Sequence, residues 1–181
     1  MSARLSIPSS LPSLLIRPEM AMQAAAVCFR VRDAAVEFLL VNTSSGKWTF
    51  PKGRIEPHLT GSESAALEAW EEAGAKGQIE AAHFAWYLDT KRTLGHDNRT
   101  REILIATYLL KVHRTVAPEE SGRNPSWFLP REARLRLAEM RSTRYATLLG
   151  EVIEAAMKRI RERHIASGLS QHGKLRRLAL G

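Results

Sequence analysis

Cysteine is almost absent. Cys28 is the only one in 181 residues, which excludes a disulfide framework and a cysteine-rich zinc site and fits a reducing, cytoplasmic setting. Long apolar runs are missing as well: no stretch approaches the ~18–20 residues that cross a bilayer as a helix, so no membrane association is expected. The six histidines show no spacing that would pair them as metal ligands beside a carboxylate. No internal repeat is visible. Acidic residues are scarce only at one end. The net charge is +8, yet residues 1–140 hold 18 Lys and Arg against 16 Asp and Glu, while residues 141–181 hold 9 against 3. A basic end can touch nucleic acid or an anionic surface, but a solvated helix face is the commoner outcome, so the charge does not identify a substrate.

What remains is an ordinary soluble composition, 44% hydrophobic and 25% charged, long enough for one domain with extra chain. Residues 1–21 are rich in Ser, Pro and Leu without periodicity and read as a flexible extension. The runs AAAVCFRV and VEFLLVN flank Arg32-Asp33 and read as a hairpin. A turn (SSGKW) and the phrase TFPKG follow, then a polar loop to Gly61. The Ala- and Glu-rich segment from Ser62 to Ala73 predicts a helix, with Ser62 as its cap and Gly74 as its stop. Residues 78–90 and 101–112 read as strands joined by TLGHDNRT, and PSWFLP opens a short helix near 131–140. A longer helix is expected from Thr143 to His164, packing through Leu148, Val152, Ile153, Ala156 and Ile160. Residues 166–181 read as a basic flexible tail.

Three glutamates carry the chemistry. Glu68, Glu71 and Glu72 stand at i, i+3 and i+4, so they share one arc of the helix. Ala66, Trp70, Ala73 and Gly74 fall opposite, available to pack on a sheet. Like charges at this spacing destabilise a helix by a few tenths of a kcal/mol, roughly, and a hard divalent cation with oxygen ligands removes that cost. The four tryptophans, Trp48, Trp70, Trp86 and Trp127, are expected in the core.

The stretch PKGRIEPHLTGSESAALEAWEEAG resembles the Nudix box, whose pattern is G-x5-E-x7-R-E-U-x-E-E-x-G-U with U apolar. Gly53, Glu68, Glu71, Glu72 and Gly74 match, with Ala69 and Ala75 at the apolar positions. WTFPKG before it resembles the entry to the box in the branch acting on diphosphoinositol and dinucleoside polyphosphates, and the strand order and the later SWFLPREA are similar to the family. The resemblance covers residues 22–140 and implies an α/β fold: an α/β/α sandwich with a mixed sheet between helices, here with an added C-terminal helix over 141–165. It also implies Mg²⁺, with Mn²⁺ as its substitute, and a small-molecule polyphosphate substrate. Glu68, Glu72 and the main-chain carbonyl of Lys52 would hold the metal, and Glu71 would be the general base or a further ligand. Lys52, Gly53, Arg54, Lys91, Arg92 and Arg101 are the candidates for the substrate phosphates, since Lys and Arg suit charge-assisted hydrogen bonds to phosphate. Two positions depart from the pattern. Leu59 stands for the first glutamate and Leu67 for the arginine, which in the family pairs with a catalytic glutamate. Arg54 and Arg101 are the candidates to take its place. The alternative expectation is a catalytically impaired module that uses the weakened box and the basic tail to bind nucleotide or RNA.

Overall fold

The computed structural model describes residues 21–92 and 100–178; residues 1–20, 93–99 (with the expected turn and Arg99) and 179–181, and the side chains at 21, 91, 92, 101 and 166–178, lie outside the described residues. The strands are β1 (Ala21–Arg32), β2 (Ala35–Asn42), β3 (Trp48–Thr49), β4 (Lys52–Arg54), β5 (Ala75–Ile79), β6 (Ala85–Arg92), β7 (Thr100–Thr115) and β8 (Ser126–Phe128). The helices are α1 (Gly61–Ala73), α2 (Pro130–Ala138) and α3 (Thr143–Leu178). They form one open mixed sheet in the order β3-β2-β1-β7-β5, with β4 on β1, β6 on β7 and β8 on β2. Among the described residues only the central β1–β7 pair is parallel. Such a pair needs a long crossover, and the segment carrying α1 supplies part of it.

Alternation along β1 divides the core. Ala24, Ala26 and Cys28 pack with Ala65, Ala69 and Ala73 of α1. Ala25, Val27 and Phe29 turn to the opposite face, against Leu137 of α2 and Leu149, Val152, Ile153, Ala156 and Ile160 of α3. The expected apolar stripe of the last helix is therefore its buried face. On the α1 side both partners are mostly alanine, so the helix lies close to the sheet and carries its glutamates to the strand ends. The central hairpin turns on Asp33 and Ala34, both at positive φ (49° and 62°), the signature of a type I′ turn that matches strand twist.

Three sequence expectations shift. The single strand over 78–90 is two strands, β5 and β6, parted by 80–84; Glu80 is buried there between Arg159 and Arg163 of α3, at 2.9 and 3.0 Å. Helix α1 begins one residue early, because Thr60 rather than Ser62 is its cap. The Thr60 hydroxyl accepts the Glu63 N–H (3.2 Å) and the Glu63 carboxylate accepts the Thr60 N–H (2.7 Å), a reciprocal capping box. Helix α3 passes His164 and runs to Leu178. Gly168 and Gly173 cost it about 1 kcal/mol each, and no proline interrupts it.

Candidate active site

The site is built where α1 crosses the β4 strand. Gly74 ends α1 in the left-handed region (φ 60°), its N–H bonded to Trp70 O at 2.8 Å. A β-carbon there would lie 2.1 Å from the Val116 carbonyl, so this stop demands glycine by conformation and by space. The last turns of α1 are thereby fixed, and with them Glu68, Glu71 and Glu72. Glu72 is buried at 3% exposure; Glu68 and Glu71 are half-buried.

Strand β4 brings the loop residues against this face. The Lys52 N–H donates to Glu72 Oε2 at 3.2 Å. Gly53 lies so close to Glu68 that a β-carbon would stand 1.6 Å from Glu68 Oε1. Its φ is not in the left-handed region, so closeness alone requires glycine here. Lys52, Gly53, Glu68 and Glu72 are thus gathered in one place, as the spacing suggested, and Glu71 borders it. Arg54 is exposed, opposite Gln23 in the β1–β4 register. Lys91 and Arg101 face each other in the β6–β7 register, and Arg92 pairs with Thr100; their side chains lie outside the described residues.

The electrostatics are those of an under-neutralised acidic cluster. Burial first, and then repulsion from Glu72, Glu71 and Glu120, pushes Glu68 up to about 7. Burial also raises Glu71, with Glu119, Glu120 and Glu56 adding to it. Glu72 is raised by burial against the pull of Arg123 and the Lys52 N–H. Among the described residues no three His, Cys, Asp or Glu side chains converge closely enough to hold an ion alone. Magnesium does not require that: it keeps several waters and binds through one or two carboxylates plus substrate phosphates. A buried and a half-buried carboxylate held close to a glycine-lined backbone, with repulsion only partly offset by Arg123, fit such an ion.

The profile of the NUDIX domain matches residues 21–149. The chain belongs to the Nudix family. Among curated Nudix relatives it is 32% identical to diphosphoinositol polyphosphate phosphohydrolase 2 of Rattus norvegicus over 118 residues, 61% of this chain and 59% of that protein. It is 31% identical to the human diphosphoinositol polyphosphate phosphohydrolase 3-beta over 119 residues, 61% of this chain and 65% of that one. The match thus spans less than two thirds of these relatives' length. Among solved Nudix folds, the C. elegans Ap4A hydrolase aligns over 74% of this chain and 95% of its own (TM-score 0.54, 20% identity). The NUDIX domain of Shewanella oneidensis NrtR, complexed with ADP ribose, aligns over 83% and 94% (TM-score 0.57, 14% identity). These structures establish the shared fold. Among the described residues no helix is long and apolar enough to cross a membrane.

The two departures from the Nudix box are neighbours. Leu59 and Leu67 line one open hollow of about 450 Å³ with Glu63, Ala66, Trp70 and Leu110. Charged residues at two positions of the box have been exchanged for a leucine pair on the flank of α1 turned away from Glu72. Trp70 joins this flank rather than the core. Its indole N–H donates to Glu119 at 2.7 Å, and Lys76 Nζ sits 3.6 Å above its ring. Leu67→Arg is therefore expected to leave turnover within about threefold of the parent while destabilising the fold by about 1 kcal/mol, as apolar area is lost from the hollow. Thermal melts and steady-state rates on purified protein check this, and a tenfold gain in rate would show that Glu71 does lack a partner.

Sequence reasoning missed Glu119, Glu120 and Arg123, which lie between β7 and β8. The loop is tied to the end of α1 by the Glu120 N–H, which donates to Glu71 O at 2.9 Å. The only signal for it was an acidic pair and an arginine in a Pro/Ser/Gly segment whose place beside α1 is set by the sheet.

Proposed function

We propose that this Nudix chain is a Mg²⁺-dependent pyrophosphohydrolase, acting on a nucleoside diphosphate linked to another moiety, with dinucleoside or diphosphoinositol polyphosphates as the favoured substrates. The observation that carries this reading is the approach of Gly53 to Glu68, beside the Lys52–Glu72 hydrogen bond. It sets a bare backbone edge directly against the two carboxylates, so that main-chain and carboxylate oxygens meet in one place. The relatives' names favour the substrate class. Glu68, Glu72 and the Lys52 carbonyl would hold the ion, which when bound neutralises phosphate charge and lowers the pKa of a water molecule. Glu71, its proton affinity raised by burial and then by acidic neighbours, would accept a proton from an attacking water. Lys52 and Arg54 flank the approach and supply positive charge to the polyphosphate, with Lys91, Arg92 and Arg101 at the β6–β7 end as further candidates.

A panel of dinucleoside polyphosphates, nucleoside diphosphate sugars and diphosphoinositol polyphosphates, assayed with Mg²⁺ or Mn²⁺, tests the proposal. The expected result is metal-dependent release of a phosphorylated product, lost by at least ~100-fold in Glu72→Gln, since even partners behind the ligands cost 10–100-fold. Tight binding without turnover on every member of the panel would make the chain a binding module instead.

A further inference from the structure

The box position that holds arginine in the family pattern is Leu67, yet the carboxylate cluster does not lack a guanidinium. Arg123, in the loop between β7 and β8, places Nη2 2.6 Å from Glu72 Oε1 and 2.6 Å from Glu120 Oε2. Its Nε donates to the same Glu120 oxygen at 2.7 Å. Nη1 lies 3.4 Å from the Asn42 carbonyl, and the Asn42 N–H donates to the Arg123 carbonyl at 2.6 Å. The arginine is thus fastened to β2 by its backbone and to the cluster by its fork. We propose that Arg123 is the positioning residue of this site, setting the rotamer of Glu72 for metal binding from the β7–β8 loop rather than from the helix. The proposal rests on reading Glu72 as a metal ligand.

The geometry leaves room for that role. An ionised carboxylate offers about four lone-pair sites. Arg123 takes one on Oε1 and the Lys52 N–H takes one on Oε2, so both oxygens keep a site for a cation. With the two bonds made, the plane of the carboxylate is set. Without Arg123, Glu72 at 4% side-chain exposure loses the bond on Oε1 and keeps the one from the Lys52 N–H on Oε2, so its plane is no longer set at both oxygens. Neither Arg54, exposed on β4, nor a residue at 67 is placed to replace it.

Calorimetric titration of Mn²⁺ alone into the full chain tests the assignment, with Arg123→Met, Arg123→Lys and Glu68→Gln compared with the parent. The expected result is a 10–100-fold weaker Mn²⁺ affinity in Arg123→Met, with Arg123→Lys between the two because it keeps the charge but not the fork. In assays at saturating metal, kcat falls and KM changes little, a split that general loosening of the loop would not produce. If Glu68→Gln loses Mn²⁺ binding while Arg123→Met stays within twofold of the parent, the positioning role is wrong and the metal-site reading stands. Tighter binding in Arg123→Met would also overturn it, since the guanidinium would then compete with the metal. If neither Glu68→Gln nor Arg123→Met alters Mn²⁺ binding, or the parent binds none, the reading of the site fails with it. Should Arg123→Met not fold, the Lys variant carries the same test.

Discussion

Gly53→Ala is expected to lower turnover by at least ~100-fold while leaving the fold nearly as stable as before. The added methyl group would stand 1.6 Å from Glu68 Oε1 and 2.3 Å from its Cδ, separations that no packing tolerates. The clash is with the far end of a side chain, not with backbone, so Glu68 can swing aside at little cost. The backbone at 53 is also permissive, because its φ lies outside the left-handed region. Alanine there even gains about 0.4–1 kcal/mol by restricting the unfolded chain, which offsets much of the strain. The site cannot be so forgiving. On the proposed reading of Glu68 as a metal ligand, a carboxylate displaced by an ångström or more would leave the ion's position, and misplacement of that size costs about 100-fold. Melting curves and rates measured together decide the matter. A variant that melts like the parent but has lost Mn²⁺ affinity supports the close approach as a functional feature, and unchanged rates would show that Glu68 is not at the site.

This residue also shows what the sequence could say. The glycine and the glutamates were legible as a spaced pattern, because a helix repeats every 3.6 residues and brings 68, 71 and 72 to one arc. The stop at Gly74 was legible for the same local reason. The flank of α1 was less so: Trp70 reads as a packing residue by period, but the buried face is Ala65, Ala69 and Ala73, and Trp70 lies over the edge under Lys76. Alanines on both surfaces fill the narrow gap, and an indole would hold the helix off the sheet. The start of α1 was within reach, since Thr60 and Glu63 form the three-residue spacing of a capping box. Arg123 was not. Its partner Glu72 is 51 positions away in the chain, and the two meet only because the β7–β8 loop passes the end of α1 after β7 has paired with β1. Local periodicity carries no information on such a meeting. The loss at Leu67 was visible in the sequence, whereas the guanidinium that reaches the cluster depends on topology.

The variant Glu68→Gln is expected to invert the order of stability between metal-free and metal-loaded protein. In the metal-free chain Glu68 titrates near 7, above the ordinary carboxylate value of 4.5, so the folded state binds its proton more tightly than the unfolded state does. Between about pH 4.5 and 7 the folded form therefore carries the extra proton, and metal-free stability falls as pH rises through that window, then levels off. Glutamine has no proton to lose, so its curve lacks this fall and lies above the parent's at pH 8. The side chain is only partly buried, and solvent screening holds the difference at ~1 kcal/mol, or about 2–4 °C in Tm. Magnesium reverses the sign. An ion bound only by the folded state at a hundredfold over its dissociation constant adds about 2.7 kcal/mol, and the parent gains this while the variant does not. Turnover should follow the metal, falling by at least ~100-fold in the variant. Melts at pH 5 and pH 8, each with and without Mg²⁺, separate the outcomes. The crossing of the two curves at pH 8 is the diagnostic result, because a mere packing defect at position 68 would lower the variant in all four conditions. The same carboxylate then destabilises the empty fold and stabilises the loaded one, which is what a site built to bind a cation requires.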